Sequence, residues 1–301
     1  METNSYHIPV MLQECLDGLN IKPNGIYVDA TYGGGGHSRA ILNLIPEGKL
    51  IAFDQDNDAV GEVTDAENLI FIEQNFEFIR NFLAFYKIPK VDGILADLGI
   101  SSHQIDEEKR GFSFRFDAAL DMRMNQEQAL DAKSIINQYD VEKLTHLFRT
   151  YGELKYAWKL ANKIVSYRKE NPIETTGQLV SLAEEFLVPN KRNKELAQLF
   201  QAIRIEVNSE LDVLKNLLQY SAEVLAPGGR LVVMSYHSLE DKLVKTFMQS
   251  GNFEGDVQTD AFGNKLVPFK IVNRKPITAS EEELAINPRS RSARLRIAEK
   301  L

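Results

Sequence analysis

Gly25-Ile26-Tyr27-Val28-Asp29-Ala30-Thr31-Tyr32-Gly33-Gly34-Gly35-Gly36-His37-Ser38 is the stretch that decides how this chain is read. A short apolar run of β type, Ile26 to Ala30, breaks into four consecutive glycines. A second apolar run, Leu50-Ile51-Ala52-Phe53, ends on Asp54. Strand, glycine-rich turn, helix, strand and acid is the order in which an α/β domain builds a nucleoside pocket. Residues without a Cβ let the backbone take positive φ and lie close against a ligand. Asp54, about twenty residues on, is placed for ribose hydroxyls; its alternative is to cap the segment beginning at Asp56-Asn57. Counted as G-x-G-x-x-G from Gly33, the third glycine position falls on Ser38, so the dinucleotide fingerprint is imperfect. A dinucleotide, S-adenosylmethionine and a purely structural turn all remain open, with S-adenosylmethionine favoured. No Gly-Lys-Ser/Thr follows, which excludes a P-loop.

Working outward, further β-type runs appear at Leu69–Ile72 and Val91–Leu98, with helical patterns between the early runs. That alternation predicts right-handed βαβ units and a mostly parallel sheet. The rhythm stops at 126–206, which reads as helices. There Ala157, Leu160, Ala161, Ile164 and Val165 form an apolar helical face, and Lys155, Lys159 and Lys163 a polar stripe at i, i+4 and i+8. Strand character returns at Arg230–Ser235, after an expected turn at Ala226-Pro227-Gly228-Gly229. The expectation is an α/β domain made of 1–125 and 207–301, interrupted between its fourth and fifth strands by a helical domain at 126–206.

The composition, 301 residues with 44% hydrophobic and 26% charged, suits a globular protein with a substantial core. No apolar run has the length of a membrane span, and Met1-Glu2-Thr3-Asn4 lacks the character of a signal peptide. Cys15 is the sole cysteine, which excludes an intrachain disulfide and thiolate-clustered zinc. The five histidines include no H-x-x-x-H pair. No membrane, no metal and a cytoplasmic setting are therefore expected. The net charge of −8 is unevenly spread. Lys143 to Lys169 holds seven basic residues against Glu153, a balance of +6, and Lys265 to Leu301 holds nine against four, a balance of +5. Basic clusters on an acidic protein point to local, oriented contact with phosphates.

Asp97 ends the fourth strand, where ligands of open α/β sheets bind, and so belongs to the crevice of the glycine turn and Asp54. Gly111-Phe112-Ser113-Phe114-Arg115-Phe116 and Leu120-Asp121-Met122-Arg123-Met124-Asn125 are rich in aromatics, arginine and methionine. They suit either stacking on an extruded base or packing at the hinge of the insertion. Ser235-Tyr236-His237-Ser238-Leu239-Glu240-Asp241 is a polar cluster without the glycine elbow of a serine hydrolase. Asn287-Pro288-Arg289-Ser290-Arg291-Ser292, with Arg294 and Arg296, reads as a solvated tail or an RNA contact.

These blocks, together with Phe200-Gln201-Ala202-Ile203-Arg204-Ile205 and Pro227-Gly228-Gly229-Arg230-Leu231, closely resemble the signature blocks of the RsmH (MraW) family. The resemblance runs from His7-Ile8-Pro9-Val10 nearly to the C-terminus. It implies a Rossmann-like class I S-adenosylmethionine-dependent methyltransferase that acts on N4 of a cytidine in the decoding region of 16S rRNA. It also implies that Gly35, Gly36, His37, Asp54, Phe76, Asp97 and Gln104 line the cofactor site. A branched side chain at Gly35 is then expected to fill ligand volume. The chain departs from the family at Asn193-Lys194-Glu195-Leu196-Ala197, where His-Pro-Ala-Thr-Arg is common. It also departs at Tyr236, usually Phe, and at Asn125, usually Asp.

Cytosine N4 is a poor nucleophile because its lone pair delocalises into the ring. A carboxylate accepting a hydrogen bond from N4–H would raise electron density there. Asp97 is the first candidate for that contact, followed by Asp121 and His237. Asp97 has a second possible role, holding the amino group of the cofactor's methionine moiety. Two rivals are a methyltransferase of small molecules or proteins and a non-catalytic ribosome-assembly factor. The basic clusters oppose the first, and the intact glycine turn with its two acids opposes the second.

Overall fold

The computed structural model describes residues 9–60 and 63–301, so Met1–Asn4 and His7-Ile8 lie outside the described residues. Strands β1 (Ile26–Asp29), β2 (Lys49–Asp54), β3 (Leu69–Glu73), β4 (Val91–Asp97) and β5 (Leu225–Ser235) run parallel. Two strands that the sequence reading did not expect, β6 (Phe269–Ile271) and β7 (Arg294–Lys300), complete a seven-stranded sheet. Its order is β3-β2-β1-β4-β5-β7-β6, with β7 antiparallel to both neighbours. This is a doubly wound, Rossmann-like sheet. Helices α1 (Leu12–Leu19), α2 (Gly36–Leu44), α3 (Asn57–Val60) and α4 (Ile79–Phe85) accompany the first four strands. Then come α5 (Ser102–Asp106), α6 (Ala132–Gln138), α7 (Val141–Thr150), α8 (Ala157–Tyr167), α9 (Thr176–Ala183) and α10 (Arg192–Val207). Helices α11 (Glu210–Val224), α12 (Ser238–Ser250) and α13 (Glu281–Ile286) accompany the last strands. Among the described residues no helix is long and apolar enough to cross a membrane.

The chain divides into two compact units, one of Met1–Gly99 with Leu211–Leu301 and one of Ile100–Glu210. In the first, both faces of the sheet are covered, which is why its strands read as unbroken apolar runs rather than alternating ones. Ile94, Ala96, Leu231 and Val233 pack in one layer with Leu214, Leu217 and Phe247. Their neighbours Leu95, Val232 and Met234 pack in the other with Cys15, Leu19, Ile41 and Ile45. The strand order reverses at β1, which pairs with both β2 and β4. The carboxyl ends of β1 and β4 are therefore the switch point at which doubly wound sheets bind ligands.

Two local expectations change. The Ala226–Gly229 turn is instead part of β5, where the register against β4 shifts between Val91 and Gly93 and Gly228 takes φ 79°. A bulge absorbs the glycines without ending the strand. The arginine-rich segment from Asn287 is not a solvated tail: Ser290 is fully buried, and Arg294 and Arg296 lie on β7. Asp241 explains how a strand tolerates them. Its Oδ1 accepts from Arg296 Nε at 2.6 Å, and its Oδ2 accepts from Arg296 Nη2 and Arg294 Nη1 at 3.1 Å each.

The Ile100–Glu210 unit is wider than the 126–206 expected from sequence. Phe112, Leu120, Met122 and Met124 are buried in its helical core, so these side chains do not stack on an extruded base. Asn208 fixes the same segment, accepting from Met124 N at 2.7 Å and donating to the Met122 carbonyl at 2.8 Å. The apolar face of α8 is buried as expected, with Val165 at its edge. The lysine stripe is not continuous. Lys155 precedes α8, and Lys163 Nζ pairs with Glu185 at 3.1 Å, so only Lys159 and Lys163 share the helix.

Candidate active site at the carboxyl ends of the strands

Three acids stand at the ends of β1, β2 and β4, each withdrawn from water. Asp29, wholly buried, accepts from Ser38 Oγ at 2.7 Å and from Thr31 N at 3.1 Å. Burial pushes its carboxyl up to about 7. Asp54 accepts from Gly33 N at 2.7 Å through Oδ2 and from Asp56 N at 2.9 Å through Oδ1. It thus both ties down the glycine turn and starts the bend into α3, and burial pushes it up to about 6. Asp97 receives the Tyr236 hydroxyl on Oδ1 at 2.7 Å, while its Oδ2 lies 3.9 Å from His37 Nδ1. Burial raises it to about 7, with the charges of Asp29 and Glu240 adding to the rise. Asp97 N donates to Thr31 Oγ1 at 2.7 Å, which stitches the end of β4 to the turn after β1.

The glycine turn does two different things. Gly33, at φ 51°, is open: a Cβ there would meet nothing within 4 Å. Gly35, at φ 70°, is not. A Cβ would lie 2.5 Å from the Tyr32 hydroxyl oxygen and 2.8 Å from Arg39 Nη1. A branched residue at Gly35 therefore meets the protein's own Tyr32 and Arg39. His37 sits in the first turn of α2, with Nε2 donating to the Val10 carbonyl at 3.1 Å. Phe76, half-buried, follows β3 and packs on the core. Beside it Asn75 Nδ2 donates to Gln55 Oε1 at 2.8 Å, joining the ends of β3 and β2.

The remaining sequence candidates hold other positions. His237 is the N-cap of α12; its Nδ1 accepts from Glu240 N at 3.4 Å and its Nε2 lies 3.2 Å from Glu240 Oε1. Gln104 and Asp121 belong to the Ile100–Glu210 unit. Gln104 completes the capping box of α5: its N donates to Ser101 Oγ at 3.1 Å and its Oε1 accepts from Ser101 N at 3.0 Å. Asp121 is clamped by Arg123, whose Nε and Nη2 each donate at 2.8 Å. Burial pushes its carboxyl up, but the Arg123 bonds outweigh that and hold it below the ordinary carboxylate range. An acid so held is a weak proton acceptor at neutral pH.

The MraW methylase family matches residues 4–301 of this sequence. The Ribosomal RNA small subunit methyltransferase H of Christiangramia forsetii is 56% identical over 297 residues, 98% of each chain. That of Amoebophilus asiaticus is 54% identical over 300 residues, 99% of this chain and 97% of that one. That of Flavobacterium johnsoniae is 54% identical over 300 residues, 99% of each. The chain belongs to the MraW methylase family.

Its cofactor is S-adenosylmethionine, and the charges of the crevice fit that group. Asp97, whose ionisation burial disfavours, is the kind of carboxylate that the ammonium or sulfonium of such a ligand would relieve. Sequence reasoning about this MraW methylase missed Asp29 and Tyr236. Asp29 was signalled by its place at the end of β1 and Tyr236 by its departure from the family's usual Phe. It also missed Trp158, 60% exposed on α8 beside Lys159.

Proposed function

We propose that this methylase transfers a methyl group to N4 of a cytidine in the decoding region of 16S rRNA, within the small ribosomal subunit in the cytoplasm. The observation that carries the reading is full-length identity of 54–56% to proteins named Ribosomal RNA small subunit methyltransferase H. In this reading Gly35, Gly36, His37, Asp54, Phe76, Asp97 and Gln104 hold the cofactor. The Gly33–Gly36 backbone approaches the nucleoside, Asp54 meets the ribose hydroxyls, and the Phe76 ring stacks on adenine. S-adenosylmethionine supplies the electrophilic methyl group when bound. Asp97 Oδ2 accepts a hydrogen bond from N4–H, which raises electron density on that nitrogen and offers a base for the proton released on transfer. Holding both reactants in line supplies much of the remaining acceleration, on the order of 7 kcal/mol or more.

Residues 1–125 and 207–301 carry the chemistry in this reading, and 126–206 recognises RNA. Support for the second role is the +6 balance between Lys143 and Lys169 together with exposed Trp158. Lysines set the register on phosphate, and an indole offers a stacking face.

Nucleoside mass spectrometry of small-subunit rRNA, from cells with and without the protein, tests the reaction. N4-methylated cytidine should disappear without it; an unchanged amount rejects the proposal. Calorimetry should show binding of S-adenosylhomocysteine and none of NAD. Changing Trp158 to Ala and Lys159 to Glu should weaken RNA binding and flatten its salt dependence, with cofactor affinity unchanged.

A further inference from the structure

Tyr236 follows β5 and touches Asp97 directly. Its hydroxyl donates to Asp97 Oδ1 at 2.7 Å. The ring is held from two sides. Its backbone N donates to Glu240 Oε2 at 2.9 Å, and Gly99, at φ 101°, brings the chain under the ring where a Cβ would stand 3.3 Å from Tyr236 Cδ2. Among the described residues this is the only side-chain hydrogen bond to the Asp97 carboxyl.

We propose that Tyr236 is a positioning residue for Asp97: its hydroxyl occupies Oδ1, fixes the carboxyl plane and favours the ionised form, leaving Oδ2 to meet the ammonium or amine of the reaction. The inference rests on the role given to Asp97 above. The other groups around that carboxyl work differently. Asp29 at the end of β1 and Glu240 on α12 repel its charge. Cys15 on α1 also feels that charge and is itself raised, first by burial. His37 on α2, the basic neighbour, stands 3.9 Å from Oδ2 and donates its Nε2 proton to Val10. A donor on Oδ1 is what offsets the two acids, because a hydrogen bond to the charged form favours that form. Burial first, and then Asp97 itself, push the Tyr236 hydroxyl far up, so it stays a donor across the working pH range.

The test is Tyr236→Phe, which keeps the ring on Gly99 and removes only the hydroxyl. The Asp97 carboxyl is followed by ¹³C NMR in both proteins, its resonance assigned by loss in Asp97→Asn. Its midpoint should rise by about one pH unit in Tyr236→Phe, the size expected for losing a hydrogen bond to a charged group. S-adenosylhomocysteine affinity and single-turnover methyl transfer are then measured at pH 6.5 and 8.5. One of the two should fall about tenfold at pH 6.5 and change little at pH 8.5, as the ionised fraction does. A purely structural tyrosine would give equal losses at both pH values, and that result overturns the proposal. So does an unmoved midpoint, or a moved midpoint with neither pH-dependent loss. Because the midpoint and the cofactor affinity need no RNA, a wrong RNA substrate and a wrong role for Tyr236 give different results.

Discussion

The acids at the ends of β1, β2 and β4 and the acids that face arginines are all pushed up by burial, yet they titrate in opposite directions. Asp29, Asp54 and Asp97 are raised to about 7, 6 and 7 by burial. Asp241 and Asp121 are also pushed up by burial, but Arg296 with Arg294, and Arg123, bring them below the ordinary value. The second group carries its counter-cation in the sequence. The first accepts from neutral donors, Ser38 and Thr31, the backbone of Gly33 and Asp56, and Tyr236, and has the imidazole of His37 3.9 Å from Asp97 in place of an arginine. Burial disfavours the charge of a carboxylate that has no arginine beside it, so a cation arriving with a ligand would relieve it.

The comparison breaks most visibly at Asp97. Asp97→Asn keeps the shape and removes the charge, and transfer should fall about 10²–10⁴-fold. Single-turnover rates across a cofactor titration check this. Full recovery at saturating cofactor would assign the carboxylate to the methionine ammonium instead of the reacting amine.

On the structural side, Asp241→Ala strands the buried Arg296 guanidinium. Urea unfolding should show a loss of about 3–5 kcal/mol, with S-adenosylhomocysteine affinity intact in the protein that remains folded. A cofactor defect as large as that of Asp97→Asn would erase the distinction between the two groups.

Asp121→Asn should cost less, about 1–2 kcal/mol for its charged hydrogen bonds, since Asp121 and Arg123 are each about a quarter exposed. Transfer should stay within about threefold of the parent. A loss near that of Asp97→Asn would make Asp121 the proton acceptor.

The smallest effect is on pH dependence. A carboxyl raised in the folded state contributes stability that is complete below the unfolded value, near 4, and is lost as pH rises through 6 to 7. Acids lowered by arginine contribute nothing to the change over that window. The ligand-free protein should therefore melt higher at pH 6 than at pH 8, by roughly 2–4 °C. The gap should narrow in Asp97→Asn and when S-adenosylmethionine is added. Scanning calorimetry showing an equal gap in all three samples would remove the site acids as its source.

Five strands and the glycine turn were legible because their signals are local: buried parallel strands are continuous apolar runs, and turns need glycine. β7 was not legible, because Arg294 and Arg296 look like solvent-facing residues until Asp241, far away in the chain, is known to face them. Asp54 was read as ribose ligand or cap, and its bond to Asp56 N shows that the capping geometry exists alongside the turn contact. The Lys155–Lys163 stripe failed at a helix start, the least certain feature of a periodicity argument. Gly111–Asn125 was ambiguous in composition, since Phe and Met serve a core and a base-stacking surface equally. Only the burial of Phe112, Leu120, Met122 and Met124 separates those uses.

The position of β7 between β5 and β6 sets a timetable for synthesis. Residues 100–210 leave the ribosome as one uninterrupted stretch and can gather their helical core from nearby segments, the fast kind of folding. The sheet has no such freedom. β1 to β4 emerge early, their partner β5 follows only after that whole helical stretch, and the strand that lies beside β5 is made last. For most of translation the edge of β4 and then that of β5 lack a neighbour, the condition in which nascent chains pair wrongly. Arg294 and Arg296 put charge on the strand that arrives last, which disfavours pairing with any surface that lacks the carboxylate of Asp241.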